Sequence, residues 1–341
     1  MVKLIIKKNK LIAIFSVFLI LEIALIIFLF SFFSFPVNSY GGSNTTVVVQ
    51  TLLTVGNVAP EVLLIVVTNT SNSSTAVNVS LNPGTNKYVY CNGIVRDWNN
   101  DTDIVNVNAT FYQNTSSMFA SDDNNTHYTN ISCFINYSAI NSAYGDDSTG
   151  NFTANYSCTF SVQYYTNPGS WNCTVFAYDN MNTNGTNTTT STVNELMAVT
   201  LPPTLDYGTV NSTYVSRENI TNVSNAGNVM INLSLQGYAV TIGDPWAMNC
   251  TKGNVKNISL MYEKYNLTES NPIITSLSAF ETMYTNLTNA AVIKKFSLNY
   301  RQDDSYDDAI NSTYWRIYVP TGVAGTCSGN IVFGATKAAG T

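Results

Sequence analysis

Four oxygen-bearing side chains recur at alternate positions in RDWNNDTDI: Asp97, Asn99, Asp101 and Asp103. Alternating carboxylate and amide oxygens in a turn are what a hard cation such as calcium coordinates. The central glycine and closing glutamate of a full EF-hand loop are missing, and Asx turns in a solvated loop explain the same spacing. A second acidic run, QDDSYDDA, carries Asp303, Asp304, Asp307 and Asp308 and is open to the same two readings. Calcium is therefore the one cofactor the sequence raises, against the plainer expectation of none. The only histidine, His127, lies in DDNNTHYTN, where a polar surface turn is expected and no nucleophile pattern accompanies it. G-x-S-x-G, H-E-x-x-H and a phosphate-binding glycine loop are all missing. No carboxylate pair sits in an aromatic-rich setting that would raise a pKa for glycoside hydrolysis. The expectation is a protein that is not an enzyme.

The elements that position these residues follow a hydrophobic N-terminal run. MVKLIIKKNK carries Lys3, Lys7, Lys8 and Lys10, and LIAIFSVFLILEIALIIFLFSFFSF follows it. The run can span a hydrocarbon core of roughly 30 Å, and its lysines assign residues 1–10 to the cytoplasm. Residues 11–36 are read as a transmembrane anchor or uncleaved signal, and so as the contact with the membrane. A cleaved secretory signal is the rival reading. Its apolar core usually spans only about 7–15 residues, but Val37-Asn38-Ser39 offers a small residue at a cut site. Either reading places the chain beyond Pro36 on the extracellular face of the cytoplasmic membrane, at the cell surface. Glu22 interrupts the run, which is costly in lipid unless the carboxyl is protonated or paired. A pilin-type helix uses such an acid to register subunits, but the matching cut would follow Val17 instead of a small residue. Glu22 is read as a tolerated membrane carboxyl.

Only 11% of the 341 residues are charged, and the net charge is −6. That balance gives no basic footprint for nucleic acid, and 12% aromatic residues argue for a packed core over disorder. Solubility must come from elsewhere. The sequence holds 24 Asn-x-Ser/Thr sequons, where its composition alone would give roughly ten. N-glycosylation is expected at Asn44, Asn69, Asn72, Asn78, Asn108, Asn114, Asn130, Asn136, Asn155, Asn172, Asn184, Asn187, Asn211, Asn232, Asn257, Asn266, Asn286 and Asn311. Asn108, Asn130, Asn136, Asn155, Asn172, Asn232 and Asn257 share the polar parity of the segments that hold them, so a sugar there would stay out of the core.

That parity comes from period-two alternation, the mark of a strand with one buried face. In IVNVNATFY, Val105, Val107, Ala109 and Phe111 alternate with Asn106, Asn108 and Thr110. ISCFINYS, YSCTFSVQYY, NCTVFAY, VMINLSLQG and NISLMYEKY repeat the pattern, separated by turn signals such as Asn82-Pro83-Gly84 and Gly243-Asp244-Pro245. Short strands at this spacing predict antiparallel β-sandwiches. A turn or two of helix near Thr275 to Asn286 is the only helical competitor. Thr200-Leu201-Pro202-Pro203 marks a break, so one sandwich is assigned to 60–199 and another to 200–341, after a linker and leading strand at 37–59. TTVVVQTLLTVGNVAPEVLLIVV is read as two strands broken at Ala59-Pro60. The runs TNTSNSSTAVNVS and NTNGTNTTTST are read as solvated edges and loops.

The six cysteines lie past the hydrophobic run, and none forms a CxxC zinc motif. An even count in an exported chain predicts disulfides. Pairing within domains forces Cys250 with Cys327 and leaves three connectivities for Cys91, Cys133, Cys158 and Cys173. Their shared parity with Phe160, Ile135 and Val175 points inward. Cys91–Cys173 across two sheets with Cys133–Cys158 locally is the favoured arrangement of the three.

LNPGTNKYVYCNGIVRDWNNDTDIVNVNATFY, HYTNISCF and YSCTFSVQYYTNPGSWNCTVFAYDN together resemble an Ig-like domain of uncharacterised surface glycoproteins of small-genome archaea. LDYGTV, NVSNAGNVMINLSLQG, WAMNCTKGN and YWRIYVPTGVAGTCSGNIVFGA are similar to Ig-like modules with a V-x-N-x-G-N signature. The resemblance covers roughly residues 45 to 340 and implies an exported architecture of two Ig-like antiparallel sandwiches, with no active-site residues to carry over. The expected function is a non-enzymatic, heavily glycosylated structural protein of the cell surface, self-associating in a surface layer or extracellular filament. Strand addition by Thr45 to Thr54 would supply the contact. The alternative is an adhesin that binds a host or neighbouring-cell ligand.

Overall fold

Alternating burial is the local rule from which the architecture grows, as over Ile231–Tyr238, where every second residue is buried. A computed structural model describes residues 49–71, 73–148, 150–273, 276–303 and 309–338. The basic segment 1–10, the hydrophobic segment 11–36 and residues 37–48 lie outside the described residues. So do Asn44, Asn72, Asp304, Asp307 and Asp308. Among the described residues no helix is long and apolar enough to cross a membrane. The chain divides into two units, Met1–Val55 and Gly56–Thr341. The described strands all lie in the second.

The first part of that unit holds β1 (Glu61–Thr68), β2 (Lys87–Arg96), β3 (Ile104–Gln113), β4 (His127–Asn130), β5 (Phe134–Asn136), β6 (Thr153–Val162), β7 (Gly169–Asp179) and β8 (Asn184–Val193). They form two antiparallel sheets, ordered β1-β2-β6-β5 and β4-β3-β7-β8. Their inner faces bury one core centred on Trp171, which stacks on Phe111 with ring centroids 4.7 Å apart. The disulfide Cys91–Cys173 joins β2 to β7 across that core, and Cys133–Cys158 ties the start of β5 to β6. Of the three connectivities open from sequence, this is the one present. NTNGTNTTTST supplies most of β8, an edge strand whose threonines are largely exposed, so its hydroxyls clad a rim instead of filling a core.

The second part holds β9 (Val199–Thr200), β10 (Asn219–Asn225), β11 (Ile231–Tyr238), β12 (Trp246–Gly253), β13 (Asn257–Ser259), β14 (Glu263–Asn266), β15 (Thr285–Asn286), β16 (Val292–Leu298), β17 (Ile310–Ile317), β18 (Val323–Ser328) and β19 (Asn330–Lys337). The sheets are β15-β14-β17-β10-β9, β16-β11-β19 and β13-β12-β18. Trp315 anchors this core against Tyr265 and Phe333, and Cys250–Cys327 joins β12 to β18. The segment NISLMYEKY is two strands, not one, because a single 3-10 turn at Leu260–Tyr262 divides it. The short helix expected near Thr275 to Asn286 is α1 (Leu277–Met283), N-capped by Ser276, with Phe280 buried.

The leading strand expected before Ala59-Pro60 is not formed across its described part. Residues 49–60 carry no strand, and Val49, Leu52, Leu53 and Val55 are 71–88% exposed. β-branched composition favours a strand only where another strand supplies its hydrogen bonds, and nothing in the described structure pairs with this segment. Pairing begins at Glu61, directly after the proline that cannot donate.

Candidate binding face

The outer face of the β1-β2-β6-β5 sheet is a groove of about 500 Å³. Register builds its floor. Val66 lies opposite Asn92, Asn92 opposite Ser157, and Ser157 opposite Phe134; one step along, Leu64, Ile94, Asn155 and Asn136 form a second row. Both rows point away from the core, because side chains two residues apart on a strand share a face. The loop after β1 supplies one wall through Ser71, Ser73 and Ser74, and Asn141 closes the other side.

Asn92 holds that wall in place. Its Nδ2 donates to Thr68 Oγ1 at 2.9 Å, Thr70 O at 2.8 Å and Ser73 O at 3.1 Å, while its Oδ1 accepts from Ser157 Oγ at 2.8 Å. A buried amide with its hydrogen-bonding capacity filled fixes a loop at little desolvation cost. Tyr156 OH donates to Leu64 O at 2.8 Å, and burial pushes its phenol well above the usual range. Gly93 is obligatory there, since a Cβ would stand 1.8 Å from Leu64 O. Among the described residues that line the groove, none carries a charge, and the Phe134 ring is 70% exposed at its end.

The four residues expected to hold calcium take part in local loop contacts. Asp97 Oδ1 accepts from Asn99 N, Asn99 Oδ1 from Val58 N, and Asp103 Oδ1 from the Asn180 amide. Asp101 begins a 3-10 turn capped by Asn100. These hydrogen bonds close loops, and among the described residues no group of three or more His, Cys, Asp or Glu side chains is arranged to hold a metal. Asp97 is fully buried, and its Oδ2 has no hydrogen-bond partner among the described residues. Burial raises its pKa, the Asn99 amide opposes that, and the nearby Asp103 and Asp179 charges raise it further. In the second acidic run, Asp303 O accepts from Arg301 Nε at 2.7 Å.

His127 is not the surface turn residue expected. It opens β4 at 1% exposure, with Nδ1 2.9 Å from Asp122 Oδ1 and Nε2 3.1 Å from Met118 O. Each ring nitrogen faces an acceptor, a carboxylate on one side and a carbonyl on the other, inside the fold. Of the sequon asparagines, none of the sixteen described here is buried, and Asn69, Asn78, Asn114, Asn136, Asn184, Asn187, Asn211, Asn286 and Asn311 are exposed.

Sequence reasoning missed two groups. The first is Glu263, 2% exposed on β14 beside a second cavity of about 380 Å³ that also touches Tyr207, Pro202 and Phe333. Burial pushes its carboxyl up to about 7, partly offset by the hydrogen bond that Tyr207 OH donates to Oε1 at 3.0 Å. Its position inside an alternating strand segment was the available signal. The second is the junction between the parts of the unit that hold the Trp171 and Trp315 cores. Fully buried Asn228 donates to Thr166 O at 2.9 Å and Asn194 O at 3.1 Å and accepts from Leu196 N at 2.6 Å. Gly227 must lack a side chain, because a Cβ would lie 2.0 Å from Leu196 O. Gly84 N donates to Ala226 O, Tyr300 OH to Asn167 Oδ1, and Arg301 covers the Tyr165 ring at 4.7 Å. The V-x-N-x-G-N signature at Val223 to Asn228 is thus a clasp between the parts that hold these two cores.

No protein-family model matches this chain, and no curated protein matches it. Among solved structures, a chaperone–tip adhesin complex of CFA/I fimbriae biogenesis is similar at 13% identity and a TM-score of 0.27, over 82% of this chain and 84% of that one. The C-terminal domain of the Streptococcus agalactiae AgI/II polypeptide BspA follows at 10% and 0.22, over 82% and 96%. The C-terminal domain of the Streptococcus pyogenes antigen I/II-family protein AspA matches at 10% and 0.22, over 82% and 99%. All three TM-scores lie well below 0.5, so these likenesses carry no inference about function.

Proposed function

We propose that this protein is a non-enzymatic, N-glycosylated structural protein of the cell surface, a subunit of a surface layer or extracellular filament. It belongs with the Ig-like surface glycoproteins of small-genome archaea, is held to the membrane through residues 11–36, and needs no nucleic acid or cofactor. The carrying observation is the clasp at Asn228, which joins two disulfide-pinned sandwiches by fully satisfied buried hydrogen bonds. A rigid body suits a load-bearing subunit, because lattice contacts repeat only if each copy has the same shape. Residues Thr45 to Thr54 are the segment that would become a strand by pairing with a neighbouring copy's sheet.

Electron microscopy of isolated envelopes, with sedimentation of the full-length protein, tests the reading. Ordered arrays or filaments are expected, and deletion of residues 44–56 should abolish them. Assembly that survives the deletion rejects strand addition, and a protein that stays monomeric in the envelope rejects the structural role. The groove on the first sandwich favours a second reading, a binding module displayed at the surface.

A further inference from the structure

We propose that the groove across β1, β2, β6 and β5 binds a neutral oligosaccharide carried by another molecule. The inference rests on the binding-module reading and gives it a ligand class. Its size is right: about 500 Å³ falls within the range of ligand clefts, and four strands at their usual spacing make a floor about 14 Å across, room for two or three sugar rings. Its chemistry is also selective. Amides and hydroxyls, which both donate and accept, match sugar hydroxyls, whereas an anion or cation would find no countercharge in the described lining. Asn155 and Asn136 sit directly opposite each other, so their amides present hydrogen-bonding groups to adjacent positions of one ligand. The Phe134 ring, 70% exposed at the rim, offers the flat apolar surface on which the C–H face of a pyranose stacks.

The site is pre-formed, because Asn92 ties the loop after β1 down through Thr70 O and Ser73 O; binding then costs little further ordering. The assignment requires bare amides at both sequons of the floor, exposed Asn136 and Asn155, and the second of these is occluded. The Ser157 hydroxyl of that sequon is buried and donates to Asn92 Oδ1 at 2.8 Å, and Asn155 Oδ1 accepts from Asn141 Nδ2 at 3.1 Å. An acceptor sequon needs its amide and hydroxyl free together.

Calorimetric titration of the purified full-length protein with cellotetraose, mannotetraose, xylotetraose and chitotetraose tests the assignment. At least one should bind with a Kd below about 1 mM, and Phe134→Ala should weaken it about tenfold. Phe119→Ala removes a comparably exposed ring outside the groove and should leave the affinity unchanged. Binding that ignores Phe134→Ala overturns the site, and peptide mapping by mass spectrometry that finds a sugar on Asn136 or Asn155 overturns it by self-occupation. If all four sugars fail to bind, the oligosaccharide assignment falls. The binding-module reading falls separately, if fluorescent full-length protein adheres to no cell surface.

Discussion

Replacing Glu263 by glutamine removes a carboxyl that burial holds at about 7. An exposed glutamate titrates near 4.5, so the folded chain binds this proton more tightly than the unfolded chain does. Stability from this group is therefore fully present below about pH 4.5, falls as pH rises toward 7, and is absent above it. Roughly 2.5 pH units at 1.36 kcal/mol each amount to about 3 kcal/mol. Tyr207 is the ionisable neighbour on this carboxyl, donating to Oε1 at 3.0 Å, and a glutamine oxygen accepts the same bond. Glu263→Gln should match the unaltered protein within about 1 kcal/mol at pH 4.5 and exceed it by about 3 kcal/mol at pH 8, a midpoint gain of roughly 10 °C. Scanning calorimetry of both proteins at pH 4.5, 6, 7 and 8, with disulfides intact, reads the difference. Parallel midpoints across that range would refute the reasoning, because they would mean that Glu263 is hydrated or paired in the folded state.

Three further outcomes follow from the same structure. Asn228→Ala strips three hydrogen bonds from the clasp and leaves buried carbonyls unpaired, so the sandwiches should lose about 3 kcal/mol of mutual stabilisation and melt in two separate calorimetric steps; a single unshifted transition would count against the clasp. Asp97→Asn keeps the acceptor for Asn99 N while removing a buried charge beside Asp103 and Asp179, and should raise the thermal midpoint at pH 7 by a few degrees. Replacing Cys91 and Cys173 together by alanine opens a link across 82 residues and should cost about 4.5 kcal/mol in urea titrations.

Alternation made most of the fold legible. IVNVNATFY, VMINLSLQG and the cysteine parities identify strands, their buried faces and the inward bridges, because period two is a property of single segments. The leading segment Val49 to Val55 misled the same rule: its β-branched residues have no partner strand in the described structure, and pairing is not written in one segment alone. The groove was hidden for a related reason. Asn136 and Asn155 are outward-facing from parity, but their juxtaposition with Asn92 and Phe134 depends on the register of four strands drawn from residues 61 to 162. Asn228 and His127 were illegible because buried polar residues look like loop residues until their partners, 34 and 5 positions away, are brought against them.

Tension gives the cross-sheet bridge a further consequence. If Glu61 and Lys337 are drawn apart, the shortest covalent route runs through Cys91–Cys173 and Cys250–Cys327, bypassing spans of 82 and 77 residues. At about 3.4 Å per extended residue, each closed span withholds close to 270 Å of slack. Shear that peels β1 from its sheet would therefore meet a covalent stop after paying out little more than the strands outside the bridges, and the Trp171 and Trp315 cores would remain looped behind it.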